Sequence, residues 1–216
     1  MTNKYNKIFV CATEQSGDNI GFNIISELLK DNPRLIIDGL GGDKMSPLLK
    51  NQYFSLKDFN SIGIVEIIFS IKKIINIINF LFNKILANDY DLIITIDSPD
   101  FNYPLVNKLR KNNYNKKIIH IVAPTVWAWR KYRSKKFSNI FDELLVLFDF
   151  EKKYFTKYGL KTTFIGHPIY YIKPNKPNLT GFNNIAFLPG SRKNEVIKLL
   201  PFFYIAYKFI LKNNLN

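Results

Sequence analysis

The chain has 216 residues, 47% of them hydrophobic and 22% charged, a balance that buries a core and excludes a disordered or fibrous protein. Its single cysteine, Cys11, excludes an internal disulfide framework and fits a reducing compartment, and the five apolar residues at 8–12 are too few for a signal-peptide core, so the chain reads as cytoplasmic. Lys and Arg outnumber Asp and Glu by 31 to 17, giving a net charge of +14 that suits anionic partners. The basic residues are scattered among Asn and Ile, as a codon bias would scatter them, so charge alone does not argue for nucleic acid.

Hydrophobic periodicity predicts a repeated strand-then-helix rhythm. Residues 8–12 form a short apolar strand, followed by helical spacing over 20–30. Residues 35–40 form a second strand closed by Gly41 and Gly42. A long apolar helical stretch covers 64–86, then a strand 92–96, a helix 103–111 and a strand 118–122. A strand at 144–148, a short helix at 150–158 and a short strand before Gly166 complete the series. This alternation predicts an α/β fold with a Rossmann-like parallel sheet. Domain one is expected over 1–168. The polar, proline-bearing stretch around Lys173-Pro174-Asn175-Lys176-Pro177-Asn178 marks a linker, 169–184. A strand at 185–188, a turn and a helix over 195–211 then read as the first β-loop-α unit of an incomplete second domain, 185–216.

In open α/β sheets, ligands bind beyond the carboxyl ends of the strands. Residues 92–96 break off there into Asp97-Ser98-Pro99-Asp100-Phe101-Asn102, which leaves Asp97 at the rim, either as a helix cap or facing a substrate. The first strand ends in Thr13-Glu14-Gln15-Ser16-Gly17-Asp18, with Gly17 for a tight turn and Ser16 or Asp18 to cap a helix or meet a ligand. Gly41-Gly42-Asp43-Lys44-Met45 is a second strand-end loop, without the spacing of a phosphate-binding fingerprint. In Val122-Ala123-Pro124-Thr125-Val126-Trp127-Ala128-Trp129-Arg130, aromatic faces suit sugar rings or acyl chains and Arg130 suits a phosphate, with core packing as the plain alternative. His167 either orients a substrate or hydrogen-bonds at the hinge, and His120 reads as structural. The two histidines and the cysteine do not have metal-ligand spacing, so no metal is expected. Pro189-Gly190-Ser191-Arg192 offers N–H donors and a guanidinium to a diphosphate. Residues 62–86 lack the uninterrupted apolar run of about 20 that a spanning helix needs. They read as either an interfacial helix, with Ile64, Ile68, Lys72 and Lys73 toward lipid, or a buried core helix.

Taken in order, these stretches, with Gly63-Ile64-Val65-Glu66 and Phe164-Ile165-Gly166-His167-Pro168, resemble the lipid-A-disaccharide synthases along nearly the whole chain. The resemblance implies the N-terminal domain of an inverting, metal- and cofactor-independent GT-B glycosyltransferase. Its substrates would be UDP-2,3-diacylglucosamine and 2,3-diacylglucosamine 1-phosphate (lipid X). Its products would be UDP and a β-1,6-linked disaccharide, made peripherally at the inner face of a bacterial cytoplasmic membrane. It assigns Asp97 as general base on the acceptor 6-hydroxyl and Arg192 to the leaving diphosphate, with Gly190 and Ser191. Glu14, Ser16, Gly17, Asp18, Asn102, Trp127, Arg130 and His167 fall to the substrates. Thr13, Asp43 and Ile62 depart from the usual Gly, Pro and Met of the pattern. The pattern's second half is missing, so a homodimer or a C-terminal half supplied in trans are the macromolecular partners it allows. Two alternatives stand beside it: a split-gene fragment that at most binds lipid, and a GT-B transferase for another sugar.

Overall fold

The computed structural model describes residues 5–58, 67–171, 185–190 and 193–212. The chain divides into two compact units, Met1–Ile172 and Lys173–Asn216. The first is built on seven strands: β1 (Lys7–Ala12), β2 (Ile36–Gly41), β3 (Asn51–Ser55), β4 (Leu92–Ile96), β5 (Lys117–Ile121), β6 (Glu143–Val146) and β7 (Lys161–Phe164). They lie in the order β3-β2-β1-β4-β5-β6-β7, and every pairing is parallel. The predicted α/β, Rossmann-like parallel sheet is therefore the observed one. Strand order runs outward from β1 in one direction and from β4 in the other, so the switch point lies between them. That is where a crevice opens at the carboxyl edge of such a sheet.

β3 escaped the periodicity reading because it is an edge strand opened by Asn51 and Gln52. Both polar side chains are satisfied locally. Asn51 Nδ2 donates to Asp38 Oδ1 at 2.8 Å and Gln52 Nε2 to the Gly41 carbonyl at 2.8 Å. Asp38 itself is fully buried and also accepts the Tyr90 hydroxyl at 2.7 Å. Burial, then the hydrogen bonds to Tyr53 and Asp38, push the Tyr90 phenol well above its ordinary range.

The helices of the first unit are α1 (Gln15–Asp31), α2 (Ile67–Asn88), α3 (Pro99–Lys111), α4 (Arg133–Ser138) and α5 (Lys152–Thr156). Alternation along the strands sorts their side chains onto two faces. One face, with Phe9, Cys11, Ile93, Ile118 and Leu144, packs with residues of α2 to α5, including Leu81, Leu105, Phe137 and Phe155. On the other, Ile8, Val10, Ile37, Ile94 and Ile96 pack with Ile25 of α1 and Met45. Two helices start earlier than the pattern suggests. α1 already includes Ser16, Gly17 and Asp18, and Pro99 opens α3, since a proline at a helix's first positions lacks only a donor that would be unpaired anyway.

α2 divides the two readings of its sequence between its halves. Ile77, Ile78, Leu81, Phe82 and Ile85 are core, whereas Ile71, Lys72, Lys73 and Ile75 in its first turns are exposed. Ile64 and the side chain of Ile68 lie outside the described residues.

In the second unit, α6 (Lys193–Lys212) begins close to the expected helix, and Phe187 packs on Phe203 with ring centroids 5.2 Å apart. The strand expected at 185–188 is not formed. Residues 185–190 pair with no strand among the described residues, and an apolar run without a neighbour cannot satisfy its backbone as sheet.

Candidate functional site at the carboxyl edge of the sheet

The switch point between β1 and β4 gathers three of the expected side chains around Asp97. Gly17 makes this possible. A Cβ there would sit 3.2 Å from Ala12 Cβ and 3.4 Å from the Ile96 carbonyl, so a glycine lets the first turn of α1 lie this close to both strand ends without pushing either aside. That proximity brings Ser16, whose Oγ donates to Asp97 Oδ2 at 3.1 Å. Glu14, in the residue just before α1, accepts the Ser98 hydroxyl on Oε1 at 3.0 Å.

Asp97 and Ser98 are both left-handed, with φ of 54° and 44°. Two consecutive non-glycine residues in that region cost on the order of 1–3 kcal/mol each. The surroundings over-determine the turn. The Asp97 N–H donates to the Ile121 carbonyl at 2.8 Å, and Asn102 Nδ2 donates to the Asp97 carbonyl at 2.7 Å. Asp97 Oδ1 accepts the N–H of Ser98 at 2.8 Å. The result is a half-buried carboxylate held at the rim rather than capping a helix: Ser98, not Asp97, is the residue before α3. Asn102 is fully buried, and its Oδ1 has no hydrogen-bond partner among the described residues.

Asp18 departs from its expected role. It is fully buried, and its carboxylate accepts the N–H groups of Gly42 at 2.7 Å, Lys44 at 3.1 Å and Met45 at 3.1 Å. It ties α1 to the loop after β2 and has no face toward a sugar. The Gly41-Gly42 pair belongs to the same lock, since a Cβ on Gly42 would fall 2.6 Å from Asp18 Oδ2.

Beyond β5, β6 and β7 the same edge carries a row of rings. Trp127 meets Phe150 edge-on at 5.7 Å, Phe150 stacks on Phe148 at 5.8 Å, and Phe148 stacks on His167 at 5.6 Å. Glu151 is buried beneath the row. Burial pushes its carboxyl up, while N–H donors from Phe148 and Leu147 and the Trp127 side chain pull it back. His167 also accepts the Ile169 N–H on Nδ1 at 3.2 Å, so it serves its own turn as well as the row. Arg130, left-handed at φ 52°, lies over the Trp129 ring at 4.0 Å and 3.6 Å from Asp100. Its guanidinium is thus already shared with a carboxylate.

Set against known proteins, this edge acquires a family. A family model for lipid-A-disaccharide synthetase matches residues 8–215. The chain belongs to that family. Lipid-A-disaccharide synthases of Rickettsia typhi and Rickettsia prowazekii are 38% and 39% identical to it, over 97% of this chain and 58% of theirs. That of Wigglesworthia glossinidia brevipalpis is 38% identical over 97% of this chain and 57% of its own. The chain thus spans somewhat over half the length of these relatives. Among solved structures, UDP-GlcNAc 2-epimerase from Neisseria meningitidis, bound to UDP-GlcNAc, superposes with a TM-score of 0.50 at 10% identity, over 73% of this chain and 46% of the other. At that identity the likeness concerns fold alone.

The family's strand-end motifs, read along the sequence, missed Phe148, Phe150 and Glu151. Nothing in Phe148-Asp149-Phe150-Glu151 distinguishes exposed rings from core rings, and only the turn after β6 sets them beside Trp127. In the second unit Gly190 is left-handed at φ 95°, and a Cβ there would fall 2.7 Å from Glu195 Oε2. Ser191 and Arg192 lie outside the described residues. Among the described residues no helix is long and apolar enough to cross a membrane, and no three His, Cys, Asp or Glu side chains gather as a metal site.

Proposed function

We propose that this chain provides the acceptor-side site of lipid A disaccharide synthesis, in which 2,3-diacylglucosamine passes from its UDP donor to lipid X with inversion. The observation that carries the reading is Asp97: a carboxylate at the switch point, kept in a strained turn and aimed at the rim. In the reaction, Asp97 takes the proton of the acceptor 6-hydroxyl as that oxygen attacks the anomeric carbon and the bond to UDP breaks. Ser16 steadies the carboxylate, and Glu14 and Asn102 hold the turn that presents it. Gly190, Ser191 and Arg192 are assigned to the departing diphosphate, where a guanidinium and N–H donors meet charge as it develops. Trp127, Phe150, Phe148 and His167 offer ring surface to the sugars or their acyl chains, with Arg130 beside them.

The acyl substrates also give the exposed first turns of α2 a use. Ile71 and Ile75 are half exposed and flanked by Lys72 and Lys73, an apolar and cationic surface suited to the anionic inner face of a membrane. This makes the protein peripheral, with two lipid substrates as its partners.

The test is transfer from UDP-2,3-diacylglucosamine to lipid X in detergent, for the chain alone and with the C-terminal portion of a relative added. Asp97→Asn should remove the transfer that either preparation shows while leaving lipid X binding and the melting temperature in place. Near-normal turnover by the variant would overturn the assignment. Equal binding of a non-acylated glucosamine 1-phosphate would instead favour a transferase for another sugar.

A further inference from the structure

Residues 127–132 are six consecutive exposed positions, Trp-Ala-Trp-Arg-Lys-Tyr, at the end of a buried strand. Trp129 is 55% exposed and Tyr132 57%. The backbone does not leave them out by default. Ala128 and Trp129 donate N–H groups to the Thr125 carbonyl, Arg133 donates to that of Arg130, and buried Val126, Ser134 and Phe137 anchor both ends. An ordered turn therefore holds two large rings in water, and contiguous exposed apolar surface marks a place of contact.

Charge says what it contacts. Arg130, Lys131, Arg133, Lys135 and Lys136 lie within one turn and one short helix. Among the described residues, Asp100 is the one carboxylate ion-paired to them, taking both Arg130 and Arg133. Lys131, Lys135 and Lys136 stay exposed, with Lys136 Nζ 4.9 Å from the Tyr132 ring centroid. Beside them a cleft of about 130 Å³ opens between α3 and α4, lined by Tyr103, Tyr132, Arg133 and Lys136 among others. Interfacial tryptophan and tyrosine with lysine around them match the headgroup layer of an anionic bilayer, rings at the acyl boundary and ammonium groups at the phosphates.

We infer that the Trp129–Lys136 turn is a membrane-docking surface of this protein, separate from α2, that seats the edge carrying Asp97 against an anionic lipid bilayer. The inference rests on the reading of the substrates as lipids and adds where the bilayer lies relative to the base. Asp100, which gathers the two arginines, is three residues from Asp97, so docking here sets the rim at the lipid surface.

The experiment uses the full chain with Trp127→Phe, which leaves Trp129 as its one tryptophan. Vesicles of phosphatidylcholine with about one third phosphatidylglycerol should shift Trp129 emission to shorter wavelength, and lipids brominated near the headgroup should quench it. Lys131→Glu, Lys135→Glu and Lys136→Glu together should weaken binding to these vesicles about 100-fold, at roughly fivefold or more per residue, with an unchanged circular dichroism spectrum. Added salt should weaken the parent in the same direction. Vesicle binding with Trp129 unquenched and the triple variant unaffected overturns the inference while the lipid-substrate reading stands. Absence of vesicle binding by the chain also overturns it, and lipid X binding in detergent then decides the substrate reading by itself. Trp129 already shielded from acrylamide without vesicles overturns it too, by showing the turn covered by the protein.

Discussion

Asp18 and Asp97 follow adjacent strands of the same parallel sheet and stand at the same edge, yet the fold treats them in opposite ways. Asp18 is drawn fully inside and surrounded by three backbone N–H donors from the loop after β2. Asp97 is kept half out of the protein in a left-handed turn, with a serine hydroxyl and one neighbouring N–H as its donors. A carboxylate that is saturated with donors in the interior stabilises the loop it ties down and has no lone pair directed at a ligand. A carboxylate held half-exposed at the rim in a strained backbone contributes little to stability and stays open to solvent. Position after a strand does not decide between these roles. The donors within reach do.

The contrast would break most plainly at Asp97 itself. Asp97→Asn keeps the size of the side chain and removes the proposed base, so on the proposed reading transfer should fall by roughly 10²–10⁴-fold, the usual worth of general base catalysis, with the melting temperature within about 2 °C of the parent. Asp18→Ala should do the reverse. Leaving the buried N–H groups of Gly42 and Met45 and the part-buried one of Lys44 without their acceptor costs about 3 kcal/mol, a fall of roughly 6–12 °C in melting temperature for a chain of this size. The residual activity per folded molecule should stay near that of the parent. A fall under about 2 °C, or a complete loss of transfer in a well-folded Asp18→Ala, would erase the distinction between the two aspartates.

His120 sharpens the stability side of the comparison. It pairs across to Thr95 of β4, its Nδ1 2.7 Å from the Thr95 hydroxyl, and is fully buried between Phe137 and Phe141. Burial lowers its pKa from 6.5 to about 3. Above pH 6.5 both folded and unfolded forms are neutral there, and its stabilising effect is complete. As pH falls from 6.5 toward 3, the unfolded chain takes up a proton that the folded one refuses. Stability should then drop by up to about 1.4 kcal/mol per pH unit. Denaturation midpoints at pH 7, 5.5 and 4 check this, and His120→Gln should flatten the trend. Smallest of all is Ser16→Ala, which removes one hydrogen bond from Asp97 and should lower transfer about 3–10-fold, near 1 kcal/mol, at an unchanged melting temperature.

The strand and helix rhythm was legible because the five inner strands, β1, β2, β4, β5 and β6, are largely apolar and buried, and such runs are bounded by the residues that end them. β3 was not, since an edge strand needs only one bonded neighbour and tolerates Asn51 and Gln52. Helix starts were misjudged at Gly17 and Pro99, residues that punctuate loops elsewhere and here open helices through close approach and a fixed φ. At the site, Asp97, Ser16, Glu14 and Asn102 were readable from their place at strand ends. Asp18 was not, because its partners lie more than twenty residues on in a loop whose course only the β1–β2 pairing sets. Phe148 and Phe150 were unreadable for a similar reason. Whether a ring faces core or solvent beyond a strand end depends on the turn, not on the residue.

The pairing of β1 with β4 has a consequence in time as well as in space. Ile8 lies opposite Leu92, whereas Lys7 lies opposite Ile36 on its other side. A chain emerging from the ribosome can join β1 to β2 early, but β1 must wait for more than eighty residues before its second neighbour exists. Ser16 and Glu14 meet Asp97 and Ser98 only across that late seam. The candidate site is therefore among the last parts of the first unit to assemble. Mutations that loosen the β1–β4 seam should slow the appearance of a competent site more than they slow the formation of secondary structure.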